Sequence, residues 1–301
     1  MDELDFAYVG LGAHEELVYS AAEELGLYAE EGVRVAVRDA TRWEDDRLSH
    51  AAVVGLGRTV LLRMHTGVPW TVLCVNTDRP LFWLVARREL ADVTELRGRR
   101  IGMHAALAAP GCFARIVLRD HGLDPVTDIE AVSMHPGDYS EHVRLLRGGD
   151  LDAAVVGSTL SPEQLVAEEG LTLLAFFGDV FQIPTTGVAV DPSTMPLDAD
   201  PLRALVRANV RALRALLADP GMAATLLRRL LPTVDDAGAR AFYDRYVAPY
   251  FRADGLADPD VVGRALPAVG RELRASGGLT DVHIPQFGEV YRNDLTAEWT
   301  R

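Results

Sequence analysis

Residues 95–125, ELRGRRIGMHAALAAPGCFARIVLRDHGLDP, constrain the fold more than any other stretch. A polar turn (LRGRR) enters a short apolar run from Arg100 to Met103, and a small-residue loop follows over 104–111. A helical pattern then opens near Cys112 and is stopped by the glycine of HGLDP. Strand, loop and helix in that order form the repeating unit of an α/β sheet. Such a loop lies at the carboxyl end of its strand, where open sheets hold ligands. Free helix amides there can face an anion or a polar group.

The rest of the chain repeats this grammar. DFAYVG reads as a strand running into a glycine loop (GLGAHEE), with a helix over 15–24 ending at Gly26. Val33, Val35 and Val37 alternate as a strand does, and HAAVVGLG reads as a buried strand before a short helix stopped by Gly67. VPWTVLCVN and LFWLVARREL are expected to form a strand pair with Trp70 and Trp83 packed together. After the organising stretch come IEAVSM, the loop and helix of HPGDYSEHVRLLRGGD, and the strand LDAAVVGS. A helix then follows, capped by Ser161 with Pro162 at its first position, and after it the strands LTLLAFFG and TTGVAV. From Pro201 onward the pattern is helical. The sum is an α/β protein with at least two βαβ-containing lobes.

Composition removes several classes of function. A formal charge of −14 argues against nucleic acid, whose backbone demands basic patches. All 30 cationic residues are arginine, so no lysine Schiff base can form and pyridoxal-phosphate chemistry is excluded. Two cysteines supply neither a disulfide framework nor a cysteine zinc site. The eight histidines show no H-E-x-x-H or comparable spacing, so no metal and no cofactor is expected. No apolar run reaches membrane-spanning length, so no membrane insertion is expected. The N-terminus as written, MDELDFAYVGLG, has neither a basic segment nor an apolar core, which gives a cytoplasmic reading. A leader replaced by a single Met would make it periplasmic or extracellular.

The order LRGRRIGM, HGLDP, LLRGGDLDAAVVG and IPTTGVAV resembles the second lobe of type II periplasmic binding proteins. AAEELGLYAEEGVRVAV and LSHAAVVGLG…MHTGVPWTVL are similar to the first lobe of the subfamily that takes nitrate, taurine, alkanesulfonates and thiamine pyrimidine precursors. The resemblance covers roughly residues 5–295. It implies a two-lobe α/β fold with two crossover strands, near 81–86 and 186–190, and a ligand cleft between the lobes. Lobe one would comprise 1–85 plus 190–301, and lobe two 86–189. The implied function is a solute-binding protein that closes on a small anionic or heteroaromatic ligand, with an ABC permease as partner if exported. The same scaffold hosts cytosolic enzymes, so the alternative is a metal-independent lyase, decarboxylase or desulfinase. The cysteine-rich motif and lysine of the yeast-type pyrimidine synthase are absent.

Three residues are the catalytic candidates if the chain is an enzyme. Cys112, at a helix N-terminus that lowers a thiol pKa, would be a nucleophile; the alternative is a small apolar filler. His104, directly after the strand IGM, would be its base or a ligand contact. His14, in the loop after the first strand, occupies the matching place in lobe one. Gly55, Leu56, Gly157 and Ser158 end strands that, by the resemblance, face the ligand with amides and a hydroxyl. Trp43 and Tyr139 are candidates for stacking on a planar ligand, and Gln182 and Thr185 flank the second crossover. Arg38, Arg42, Arg58 and Arg115 lie nearest strand ends and helix starts and could pair an acidic group. His65 reads as structural, at its helix C-terminus, while His50, His121, His135, His142 and His283 read as solvated.

Overall fold

The computed structural model describes residues 3–10, 12–135 and 139–301. The expected loop positions Leu11 and 136–138 lie outside them. Ten strands occur in chain order: β1 (Glu3–Tyr8), β2 (Arg34–Asp39), β3 (Ala52–Gly55), β4 (Thr71–Thr77), β5 (Phe82–Ala86), β6 (Arg100–Met103), β7 (Glu130–Ser133), β8 (Ala153–Gly157), β9 (Thr172–Phe176) and β10 (Thr186–Val190). The chain divides into two compact units. Unit 1 is Met1–Asp78, Pro184–Gly263 and Pro285–Arg301; unit 2 is Arg79–Ile183 and Arg264–Ile284.

Unit 1 holds one sheet in the order β2-β1-β3-β10-β4. β1 runs parallel to β2 and β3, while β10 is antiparallel to both its neighbours. β2 is an edge strand, which explains why Val37 on the alternating stretch stays exposed. The helix Ala13–Glu24 buries Leu17, Val18, Ala21 and Ala22 and packs on the long helix Asp200–Ala218. That second helix inserts one polar residue into the core. Buried Asn209 donates to Asn76 Oδ1 at 2.7 Å and to Cys74 Sγ at 3.2 Å, so its amide hydrogens are matched.

Unit 2 repeats the plan with the order β7-β6-β8-β5-β9. β6 is parallel to β7 and β8, and β5 is antiparallel to β8 and β9. In each sheet the antiparallel strand is the one the chain forms just after passing from the other unit. The expected pairing of β4 with β5 therefore does not occur, because those strands belong to different sheets. Trp83 stacks instead on Phe176, at 5.7 Å and 26°, and Trp70 is buried in unit 1.

The strand order also fixes where ligands can be held. β6 connects outward to β7 on one side, and β7 connects back to β8 on the other. The loops after β6 and β8 consequently diverge at their carboxyl ends, where open sheets of this kind hold ligands. β1 and β3 stand in the same relation in unit 1.

Candidate functional site

In unit 2 the β6–β8 register covers only Ile101↔Ala153 and Gly102↔Ala154, after which the strands part. The helix Tyr139–Gly148 fills the gap. Its buried stripe is Tyr139, His142, Val143 and Leu146, at helical spacing. His142 is fully buried, and its Nδ1 lies 2.6 Å from the Val155 carbonyl on the splayed strand. It is therefore not the solvated histidine its sequence context suggested. Tyr139 lies across Gly157, where an added Cβ would come within 2.6 Å of Tyr139 Cε2, and is buried in its own unit.

His104 is the first residue after β6 and is 2% exposed. Its ring stacks on Tyr139 at 5.5 Å and 22° and is tilted against His142 at 5.6 Å. Among the described residues neither Nδ1 nor Nε2 has a hydrogen-bond partner. Burial, with His142 nearby, lowers its pKa to about 4, so the imidazole is neutral at pH 7 and offers one donor and one acceptor. An orphaned pair of polar atoms this deep costs free energy that a ligand can recover. Ser158, directly after β8, is also buried.

The loop carrying His104 is clamped at its far end. Arg115 Nη1 donates to the carbonyls of His104 (3.0 Å) and Gly111 (2.9 Å). Its helix is Ala109–Asp120, opening three residues ahead of Cys112. Cys112 is fully buried, and its thiol is pushed up by burial and by the Glu272 carboxylate, the reverse of the lowered pKa that the nucleophile reading requires. Glu272 is itself buried and accepts from Arg119 Nε at 2.8 Å and from Ser276 Oγ. Gln182 lies beside Arg79, and with its amide oxygen facing the guanidinium it accepts from Nη1 at 2.7 Å.

In unit 1 the carboxyl ends of β1 and β3 are surrounded differently. Leu56 N–H, expected to face a ligand, donates to the Thr185 carbonyl at 2.9 Å, and Thr185 N–H donates to Thr77 O. Both residues are buried. His14 is 5% exposed in the first turn of its helix, and burial lowers its pKa to about 3. Trp43 is half-buried with the Arg47 guanidinium 3.9 Å over its ring, so a neighbouring side chain occupies the face offered for stacking. Three of the four candidate arginines are committed as well. Arg38 pairs with Asp5 and Glu3; Arg58 pairs with Asp45 and donates to the Trp43 carbonyl. The candidates thus fall into two sets, with His104, Cys112, Gly157, Ser158 and Gln182 in unit 2 and His14, Trp43, Gly55, Leu56 and Thr185 in unit 1.

Residues 15–223 match the family described as NMT1/THI5 like. The chain belongs to that family. Among curated proteins, the riboflavin-binding protein RibY of Chloroflexus aurantiacus is 24% identical over 226 residues, which is 71% of this chain and 62% of RibY. The match therefore spans less than two thirds of that relative's length. Among solved structures, the alkanesulfonate-binding protein SsuA from Xanthomonas axonopodis pv. citri, bound to MOPS, superposes with a TM-score of 0.70. It is 13% identical, over 99% of this chain and 97% of SsuA. The desulfurization enzyme DSZB superposes with a TM-score of 0.68 at 14% identity, over 99% of each chain. At such identities these likenesses show the fold alone, and it is the periplasmic-binding-protein fold the sequence resembles. Among the described residues of this family member no cluster of three His, Cys, Asp or Glu side chains could hold a metal, and no helix is long and apolar enough to cross a membrane.

Sequence reasoning missed two residues. Glu15 reads as an ordinary acid in a first helical turn, yet it is 7% exposed and accepts from Gly10 N–H at 3.1 Å. Thr186, one residue past the candidate Thr185, is wholly buried, and among the described residues its hydroxyl has no partner. Nothing local marks either one. Both acquire their surroundings from strands distant in sequence.

Proposed function

We propose that this chain is a solute-binding protein that captures a small, uncharged, planar molecule and presents it to an ABC-type permease outside the cytoplasmic membrane. Family membership and the small-molecule-binding roles named for RibY and SsuA support the class. The observation that carries the reading is His104. A buried imidazole at a strand end, stacked on an aromatic ring and with neither nitrogen matched among the described residues, is suited to recognise a ligand. Its neutrality and the commitment of Arg38, Arg58 and Arg115 to internal partners favour a heteroaromatic ligand over an anion.

The test is thermal unfolding of the full chain with a panel of flavins, pyrimidines and alkanesulfonates, each at 1 mM, alongside His104→Ala. A ligand at about a hundredfold above Kd stabilises the native state by roughly 2.7 kcal/mol, a shift of several degrees. Heteroaromatic compounds should raise the midpoint of the wild type and not of His104→Ala. A stabilising ligand that is consumed on incubation would replace this reading with an enzyme, and stabilisation by sulfonates alone would overturn the ligand class.

A further inference from the structure

The carboxyl ends of β1 and β3 in unit 1 carry a polar pair that the His104 site does not use. Glu15 follows Gly12, which precedes the helix Ala13–Glu24, and its Oε2 reaches back to accept from Gly10 N–H at 3.1 Å. Its Oε1 lies on the β3 side, 3.6 Å from where a Cβ on Gly55 would stand. Thr186, at the start of β10, is the register partner of Gly55 across an antiparallel pair. Directly opposed residues of such a pair project to the same face. The Thr186 hydroxyl and the Glu15 carboxyl therefore share one face and one end of the sheet, and Thr186 Oγ1 is buried without a partner among the described residues.

We propose that Glu15 and Thr186 form a recognition point for the amide-like edge of a planar ligand: a lactam, cyclic imide or amino-azine with an N–H donor beside a carbonyl or ring-nitrogen acceptor. This deepens the solute-binding reading and rests on it. A carboxylic acid presents O–H beside C=O, the complement of such an edge, and the threonine hydroxyl can serve either partner. The groups acting on Glu15 are the Gly10 amide, which favours ionisation, and burial together with the Glu16 carboxylate, which oppose it. None of them is a cation, and burial pushes the carboxyl well above its usual range. A sulfonate would meet an acid there with no counter-charge, whereas an imide or lactam would satisfy both oxygens.

The experiment uses the full chain and ligand-observed NMR with matched probes: uracil, lumazine and alloxazine, each beside its N3-methyl form, together with methanesulfonate and butylamine. The N–H probes should bind at least tenfold more tightly than the N-methyl forms, because a site built around a hydrogen bond rejects the analogue that lacks it. Glu15→Gln, which keeps a donor and an acceptor, should retain the preference. Glu15→Leu should abolish it and Thr186→Val should reduce it. Should Glu15→Leu fail to fold, discrimination by the wild type and by Thr186→Val still decides. Equal affinity for methylated and unmethylated probes overturns the proposal, as does tighter binding of butylamine. Binding of methanesulfonate alone overturns it while leaving a solute-binding protein in place. If no probe binds and native mass spectrometry finds no ligand released from protein purified from its host, the solute-binding reading falls and this inference with it.

Discussion

The guanidinium of Arg115 holds the main-chain carbonyl of His104 at 3.0 Å, so the histidine proposed for recognition is positioned by a residue eleven places further along the chain. The same nitrogen binds the Gly111 carbonyl, and Gly111 packs so tightly that an added Cβ would lie 2.2 Å from the Ala105 carbonyl and 2.4 Å from that of His104. Gly111→Ala should therefore force the loop apart, costing about 1–3 kcal/mol of stability. Ligand affinity should fall by more than stability alone explains. Urea unfolding and ligand titration on the same variant check this. Unchanged affinity would mean that the loop does not set the site.

Stability should fall as pH drops from about 6.5 to about 4. His104 and His14 ionise near 6.5 in the unfolded chain, and burial lowers them to about 4 and about 3 in the fold, with His142 adding to the effect at His104. In that window the unfolded state binds more protons, so acid favours unfolding, and the stability held above pH 6.5 is lost on the way down. The full effect is on the order of 3 kcal/mol for each histidine. Urea midpoints measured between pH 7.5 and 4 should show the slope, and His104→Gln should remove its share. A slope unaffected by that substitution would sink the assignment.

Glu15 predicts the opposite sign. Its carboxyl is raised in the fold, so above the ordinary glutamate range the unfolded chain gains by releasing a proton that the native state keeps. Stability is lost as pH rises through that range. Glu15→Gln removes the titration while keeping the Gly10 contact, and should be more stable than wild type at pH 7–8, with the advantage vanishing below about pH 4. Denaturation at pH 4 and pH 8 decides it, and a variant less stable at pH 8 would show that the group is ionised and paired.

Much of this is legible in the sequence. Glycine stops, short apolar runs and small-residue loops located β6, β8 and the helices around them, because such signals are local. His104 was legible because it directly follows an apolar strand. His142 was misread although its signal was present: with Tyr139, Val143 and Leu146 it completes a stripe at i, i+3, i+4 and i+7, and that stripe is buried. The pairing of β4 with β5 was misread because adjacency in sequence usually means adjacency in a sheet, and here the chain changes units between those strands. Glu15 and Thr186 were invisible, since their burial depends on β1, β3 and β10 meeting.

Cys112 carries the last prediction. A thiol at a helix start is reactive only as thiolate, and reactivity needs exposure together with a nearby positive field. Here the helix begins at Ala109 rather than at the cysteine, and the side chain is wholly buried. The Glu272 carboxylate raises its pKa, outweighing the opposing pull of Arg115. Cys74 is likewise buried and pushed up to about 12, despite the hydrogen bond from Asn209. In the native protein neither cysteine should react with a disulfide reagent at more than about a hundredth of the denatured rate, because labelling must wait for local opening. Mass-spectrometric counting of labelled thiols over time, with and without urea, checks this. One thiol reacting at the denatured rate, lost in Cys112→Ala, would mean that an accessible nucleophile sits beside His104. The reading of this site would then turn from binding to catalysis.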